Sequence, residues 1–212
     1  MTIAIPRLDR TTAADRGLTL ADFLVPIPVG ERLNARVRHI LLIATGALFI
    51  YLTARLAIPR DPVPWTGQTF GVLVVGGALG ARRGFAAAAL YILLGVVGLP
   101  FFAEGKGGTA VLLGPSGGYL IGFLLAATIV GRLAELGWDR RLGGALVMML
   151  IGSFVIYAVG LPWLSYTRHL STADTIAAGL TPFLLWDAVK LLVAAGIFPV
   201  AWWLIGRRPD DR

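Results

Sequence analysis

The stretch Pro182-Phe183-Leu184-Leu185-Trp186-Asp187-Ala188-Val189-Lys190, continued by an uncharged run to Ile205, determines the class of the protein. From Phe183 to Ile205 the chain is long enough to cross a bilayer as a helix, which needs about 20 residues. Asp187 and Lys190 interrupt this run, although each charge costs roughly 2.5–3.5 kcal/mol at the centre of a membrane helix. At a spacing of three, their side chains share one helix face. The pair indicates a functional site, or alternatively a self-neutralising pair with Lys190 extending to the lipid headgroups.

The composition of the whole chain is that of an integral membrane protein. Of its 212 residues, 57% are hydrophobic and 15% are charged, whereas soluble domains have about 45–50% apolar and 25% charged residues. The absence of cysteine from the sequence excludes disulfides and thiolate metal sites. A net charge of +7 would suggest nucleic-acid binding in a soluble protein. Here the charges are distributed as in a membrane protein, so we expect lipid and no nucleic acid as a partner.

Apolar segments separated by prolines, glycines and charges predict an all-α fold with six transmembrane helices. They form one domain, residues 38–205, between tails of residues 1–37 and 206–212. The N-terminal tail is expected to carry a surface helix near Leu18–Val25. The predicted spans are Arg38–Ile58, Gln68–Ala81, Phe85–Leu99, Ala110–Val130, Gly143–Leu161 and Phe183–Ile205.

The connections between the spans differ in character. Pro59–Pro64 contains three prolines and is predicted to be a non-helical loop. A tight turn is expected at Arg82-Arg83-Gly84, and a glycine-rich loop at Phe101–Thr109. Ser165–Thr181 is expected to be a longer polar connection.

The distribution of positive charge predicts the orientation of the spans. Most of the 19 Lys and Arg residues flank the spans on one side of the membrane or lie in the tails. The opposite side has Arg55, Arg60, Lys106 and Arg168. Both tails are therefore predicted to be cytoplasmic, in a multi-pass protein of the cell membrane. Asp187 and Lys190 then lie in the outer third of the last helix, and four tryptophans are expected at the interfaces: Trp202 and Trp203 inside, Trp163 and Trp186 outside.

Small residues recur at every fourth position in two of the spans. The fourth span has Gly114, Gly118, Gly122 and Ala126, and the second continues with Gly76, Gly80 and Gly84. Such stripes allow close helix packing, and short spans interrupted by glycine also occur at transporter substrate sites. Polar side chains within the spans either bond to another helix or line a cavity near Asp187; they are Gln68, Thr69, Tyr91 and Tyr119.

The sequence gives little support to an enzymatic function. His39 and His169 are its only histidines, and they are predicted to lie on opposite sides of the membrane. The spacing of polar residues suggests neither a Ser/His/Asp set nor a metal-ligand cluster. The glycines near residue 107 do not form a phosphate-binding Gly-x-x-x-x-Gly-Lys-Ser/Thr loop. We therefore expect no catalytic site, metal or cofactor.

Several segments in one order resemble the BioY family, the biotin-specific S components of energy-coupling factor (ECF) transporters. The similarity covers roughly Ile40 to Ile205. The segments that carry it are Val63–Leu73 (VPWTGQTFGVL), Gly80–Gly84 (GARRG), Leu90–Ala103 (LYILLGVVGLPFFA), Gly107-Gly108, Leu113–Phe123 (LGPSGGYLIGF) and Asp187–Lys190 (DAVK).

The resemblance implies an ECF S-component fold that captures biotin, as a transported ligand, from outside. It places Asp187 and Lys190 in the binding site. A carboxylate suits the ureido N–H donors, and a cation suits either the ureido oxygen or the valerate carboxylate, so these pairings stay open. Other residues expected at the site are Tyr91, Phe102, Gly108, Tyr119 and Gln68.

The resemblance also implies a lid and partner proteins. Pro59–Pro64 would be the lid, and a membrane T component with ATPase subunits would energise uptake. Ala44, Ala47 and Ala54 resemble a docking stripe for the T component, with intramolecular packing as the alternative. An amide is expected near the third span, but the only asparagine in the sequence is Asn34, so Glu104 or a tyrosine would replace it.

Two other functions are compatible with the residues alone. The chain could be a binding subunit for another vitamin on the same fold. It could also be a structural membrane protein or an intramembrane enzyme that uses Asp187 as an acid or base. Saturable binding of biotin without turnover would distinguish the first interpretation from both.

Overall fold

The computed structural model describes residues 17–24 and 32–205, which are mostly helical. A two-stranded antiparallel hairpin joins β1 (Ala57–Ile58) to β2 (Trp65–Thr66), with Ala57 opposite Thr66 and Ile58 opposite Trp65. Short 3-10 turns lie at Ala103–Gly105 and Trp138–Arg140. The helices are α1 (Leu20–Leu24), α2 (Arg32–Arg55), α3 (Gln68–Leu79), α4 (Ala81–Val96), α5 (Thr109–Leu113), α6 (Gly117–Glu135), α7 (Leu142–Arg168), α8 (Thr172–Gly179) and α9 (Leu184–Ile205).

Within the described residues, four helices are long and apolar enough to cross a membrane. They are α2 from Ala35 onward, α6, α7 and α9. Helices α3, with 12 residues, and α4, with 16, are shorter. At 1.5 Å per residue, α3 is about 18 Å long against a hydrocarbon layer of about 30 Å.

The predicted turn at Arg82-Arg83-Gly84 is wrong, because α4 already begins at Ala81. The break falls at Gly80, whose φ of 82° and ψ of 174° are accessible essentially only to glycine. The Glu135 carboxylate accepts the Ala81 N–H at 2.9 Å and so satisfies one of the free donors at the start of α4.

Three other predicted boundaries also differ from those in the structure. The fourth span is divided, since α5 ends at Leu113 and α6 begins at Gly117, and the intervening Pro115 lacks an N–H. Helix α7 continues to Arg168, and α8 forms within the connection predicted from Ser165 to Thr181. Helix α2 begins at Arg32, inside the segment predicted to be a tail. The predicted helix near Leu18–Val25 corresponds to α1.

Small residues bring the helix backbones close together. A Cβ at Gly122 of α6 would lie 3.0 Å from the Ile156 Cα of α7, and one at Gly76 of α3 would lie 2.7 Å from the Ala127 carbonyl oxygen of α6. These two glycines therefore serve packing. Ala47 and Ala54, expected in a docking stripe, are 2% and 0% exposed, so the intramolecular alternative holds for both.

One end of the bundle, which we call the α1 end, is crossed by residues 17–22. Thr19 and Leu20 are buried there, and Arg140 donates to the Leu18 carbonyl at 3.0 Å. The Asp22 carboxylate accepts hydrogen bonds from Arg38 at 3.0 Å and from Arg83 at 2.7 and 2.9 Å. Although burial opposes it, these bonds and the Arg83 charge hold the pKa of Asp22 well below its usual range.

Substitution Asp22→Asn is expected to lower the free energy of unfolding by about 3 kcal/mol at pH 7, because it leaves two mostly buried guanidinium groups without their anion. A carboxyl group with a depressed folded-state pKa stabilises the protein above its unfolded pKa of about 3.9 and loses that effect as the pH falls. The difference in Tm between wild type and variant should therefore shrink below about pH 4. Thermal unfolding in detergent measures both, and Asp174→Asn, at an exposed position on α8, should change Tm far less. A constant difference across pH would contradict this interpretation.

A second polar cluster at the α1 end changes the interpretation of Trp202. Its indole N–H donates to Asp139 Oδ2 at 2.7 Å, and the Arg140 guanidinium lies 3.5 Å from the indole ring centroid. Trp202 is 4% exposed, so its predicted interfacial position is wrong, whereas Trp203 is exposed. Burial raises the pKa of Asp139, although Trp202 and Arg140 oppose the shift.

Candidate functional site

A cavity of about 330 Å³ opens at the end of the bundle opposite α1, which we call the cavity end. Its walls come from the β1–β2 hairpin, α3, the Phe102–Lys106 turn, α5, α6, α7 and α9. The volume lies at the lower limit for small-molecule sites, which occupy about 300–1,000 Å³. Of the predicted lid, Pro59–Pro64, the residues from Arg60 to Pro64 line its mouth.

Most of the site residues predicted from the sequence line this cavity. They are Gln68, Phe102, Tyr119, Asp187 and Lys190. Tyr91 and Gly108 are not among the lining residues. Tyr91 lies behind the wall, where its hydroxyl accepts a hydrogen bond from Gln68 Nε2 at 2.5 Å. Gly108 precedes α5 and donates its N–H to the Gly95 carbonyl at 2.7 Å.

The Asp187–Lys190 pair lies on the first two turns of α9 and faces the protein. Lys190 Nζ donates to Asp187 Oδ1 at 2.8 Å, to the Thr66 carbonyl at 2.7 Å and to Thr69 Oγ1 at 3.3 Å. The side chains of Asp187 and Lys190 are 12% and 23% exposed. The alternative in which Lys190 extends to the headgroups is therefore wrong. Because an ammonium group has three donors, these contacts use all of them.

Tyr157 on α7 is a site residue that the sequence analysis missed. Its hydroxyl donates to Asp187 Oδ2, and its ring packs edge-on against Tyr119 with centroids 6.1 Å apart. The Tyr119 hydroxyl donates to the Gly179 carbonyl at 3.0 Å. Tyr157 carried the same signal as Tyr91 and Tyr119, a phenol within an apolar span, and could have been identified by it.

The middle of the cavity is mainly apolar. Phe102, Phe123 and Phe183 line it together with Val63 and Leu120. Phe102 is 1% exposed and packs edge-on against Tyr91 at 5.9 Å. Its ring fills the space where Gly95 has no side chain. These walls favour a ligand whose centre is nonpolar.

Charged residues surround the mouth of the cavity. Arg168, at the end of α7, forms an ion pair with Asp61 of the hairpin loop at 2.5 Å. Lys106 pairs with Glu104 at 2.5 Å, and the Arg60 guanidinium lies 5.3 Å from the Trp65 ring centroid. Cations therefore outnumber anions among these residues.

The arrangement suits an amphipathic small molecule. It offers a carboxylate with an ammonium and a phenol at the base, apolar walls, and cations at the mouth. No cluster of His, Asp and Glu that could hold a metal ion occurs within residues 17–24 and 32–205.

Residues 28–207 match the model of the BioY family. The chain belongs to the BioY family.

Relatives within the family cover most of this chain. The Biotin transporter BioY of Thermotoga maritima is 43% identical over 150 residues, which is 69% of this chain and 85% of that protein. The Probable biotin transporter BioY of Pyrococcus horikoshii is 38% identical over 151 residues, 70% of this chain and 88% of that protein. The BioY family match also begins earlier than the similarity recognised in the sequence, which started at Ile40.

A solved structure shares the fold. It is the crystal structure of the S-component for biotin from an ECF-type ABC transporter, with a TM-score of 0.73 and 29% sequence identity. The alignment covers 80% of this chain and 93% of that one. The predicted S-component fold is thereby confirmed for this BioY-family chain.

Proposed function

We propose that this protein captures biotin at the cavity end and takes it up as the S component of an ECF-type transporter. The observation that supports this most is the inward-facing Asp187–Lys190 pair at the base of the cavity, in a chain of the BioY family. The matching family members are named as transporters, not enzymes. The cavity residues fit that role, since they provide polar contacts without a nucleophile and base in catalytic arrangement.

The chemistry of the site matches that of biotin. Asp187 accepts hydrogen bonds and suits a ureido N–H, while the apolar walls suit the fused rings and the methylene chain. The cationic mouth suits the carboxylate at the end of that chain. Gln68 and Tyr91 act together, because the Gln68 amide is held by the Tyr91 and Thr66 hydroxyls.

Biotin binding by the purified chain in detergent tests this function, with riboflavin and thiamine as controls. We expect tight and saturable binding of biotin alone. Absence of biotin binding in protein that unfolds cooperatively would contradict the proposal. Equal binding of thiamine or riboflavin would instead indicate another vitamin as the ligand.

We further propose six membrane crossings, with α3 and α4 each crossing once and both termini in the cytoplasm. The Gly80 break between α3 and α4 supports a reversal at the α1 end. Exposed Arg82 and Arg141 lie at that end, as expected for a cytoplasmic face.

Cysteine labelling tests the orientation without background, since the sequence has no cysteine. A cysteine at Arg82 or Arg141 should resist an impermeant external reagent, whereas one at Asp174 on α8 should react. The opposite pattern would invert the proposed orientation.

The proposed partners are a membrane T component and ATPase subunits. The sequence has no phosphate-binding loop, so ATP hydrolysis would occur on another chain. ATP-dependent biotin uptake into vesicles should require all the subunits together. Uptake at the same rate by vesicles containing this chain alone would exclude that requirement.

A further inference from the structure

The mouth of the cavity contains an ion pair between two elements that are far apart in sequence. Arg168 is the last residue of α7, and Asp61 lies in the loop between β1 and β2. Arg168 Nη2 donates to Asp61 Oδ1 at 2.5 Å, and both residues line the cavity. The pair thus connects the proposed lid to the body of the protein across the opening.

We infer that Arg168 binds the carboxylate of the ligand and that Asp61 occupies Arg168 when no ligand is present. This inference rests on the proposed function and adds the residue that recognises the acidic end of the ligand. Asp61 serves as an internal substitute for the ligand carboxylate, and binding exchanges one carboxylate for the other.

Lys190 is a poor candidate for the same role. Its three donors already bond to Asp187, Thr66 and Thr69 at the base of the cavity. A guanidinium group has five N–H donors in a fixed fork that matches a carboxylate. Within residues 17–24 and 32–205, a single hydrogen bond from Arg168 is observed, to Asp61, so donors remain for a ligand.

The other cations at the mouth are engaged differently. Lys106, itself 60% exposed, pairs with Glu104, which is 20% exposed, and Arg60 lies over the Trp65 ring. Asp61 is 82% exposed and Arg168 is 42% exposed. An ion pair this exposed contributes little to stability, so a second carboxylate can replace Asp61 at low cost.

The spacing along α7 fits a ligand held at both ends. Tyr157, which contacts Asp187, and Arg168 lie on this one helix, about 16 Å apart along its axis at 1.5 Å per residue. A ureido group at Asp187 would direct the methylene chain toward the mouth. The chain and the extended Arg168 side chain together span this distance.

The test compares biotin with biotinamide, in which an uncharged carboxamide replaces the carboxylate. The wild-type protein should bind biotin more tightly than biotinamide. Arg168→Gln should weaken biotin binding about 10-fold, as expected for the loss of a charge-assisted hydrogen bond, and leave biotinamide binding unchanged. Asp61→Asn should strengthen biotin binding about 2- to 5-fold by removing the competing carboxylate.

Arg55→Gln is the matched control, since it removes an exposed cation at the cavity end that does not line the cavity. It should preserve the preference for biotin over biotinamide. The inference is overturned if Arg168→Gln weakens both ligands equally or neither, or if Lys106→Gln, which removes a cation lining the same mouth, alone abolishes the preference. Failure of the wild-type protein to bind biotin at all would instead refute the proposed function, so the two failures are distinguishable.

Discussion

Asp187→Asn is expected to weaken biotin binding by about 100-fold while the protein still folds and inserts. The Asp187 carboxylate is 12% exposed and accepts hydrogen bonds from Lys190 and Tyr157. An asparagine keeps its shape but has one acceptor atom instead of two and no charge. A hydrogen bond to a charged group contributes about 1.5–3 kcal/mol, which is about 10- to 100-fold in affinity at 1.4 kcal/mol per factor of ten.

Lys190→Ala should produce a loss of similar size, because it leaves the Asp187 charge without its counter-ion. The losses in the double variant should be far from additive, since both substitutions break one interaction. Isothermal titration calorimetry measures the affinities, and Tm reports folding. Asp174→Asn, an exposed position on α8 that does not line the cavity, is the control and should bind biotin within a few-fold of wild type. Normal affinity in both single variants would remove the pair from the binding site.

Gly76→Leu is expected to prevent the protein from folding, and Gly76→Ala to reduce its stability by about 1–3 kcal/mol. A Cβ at this position would lie 2.7 Å from the Ala127 carbonyl oxygen and 2.9 Å from the Ala127 Cα. Both are backbone atoms of α6, so relief requires α3 and α6 to separate. Yield of monodisperse protein and Tm in detergent report the effect.

Gly196→Ala on α9 provides the matched control for the effect of losing a helical glycine. A Cβ at Gly196 meets no atom within 4 Å. The substitution should leave Tm unchanged or raise it slightly, because alanine stabilises a helix by about 0.5–1 kcal/mol relative to glycine. Equal destabilisation at Gly76 and Gly196 would show that close packing of α3 on α6 is not the cause.

The sequence predicts the helical segments well, since apolar runs in a membrane protein have few alternatives to helix. It does not locate the breaks as reliably. Arg82-Arg83-Gly84 contains charges and a glycine, yet the chain reverses at Gly80, where a free N–H of α4 meets the Glu135 carboxylate. That partner lies on a helix far along the chain, and local pattern carries no information about it.

The site residues are likewise only partly predictable from the sequence. The cost of charges within a membrane helix identifies Asp187 and Lys190 without a structure. Which tyrosine faces the cavity depends on helix rotation: Tyr157 contacts Asp187, whereas Tyr91 lies behind Gln68. Trp202 was misjudged for a related reason, and the same limit left both interpretations of Ala47 open. Composition identifies residues suited to an interface or a docking face, and only the packed structure shows which neighbouring helix covers them.

The shortness of α3 has an electrical consequence. Its 12 residues span about 18 Å of a hydrocarbon layer about 30 Å thick, and its first two residues, Gln68 and Thr69, line the cavity. In the proposed orientation, water reaching the cavity would concentrate the membrane voltage across the closed inner part of the protein. A ligand carboxylate bound at Arg168 would then have crossed little of the field. Moving one negative charge inward against an inside-negative potential of 100 mV requires about 2.3 kcal/mol, most of it after binding.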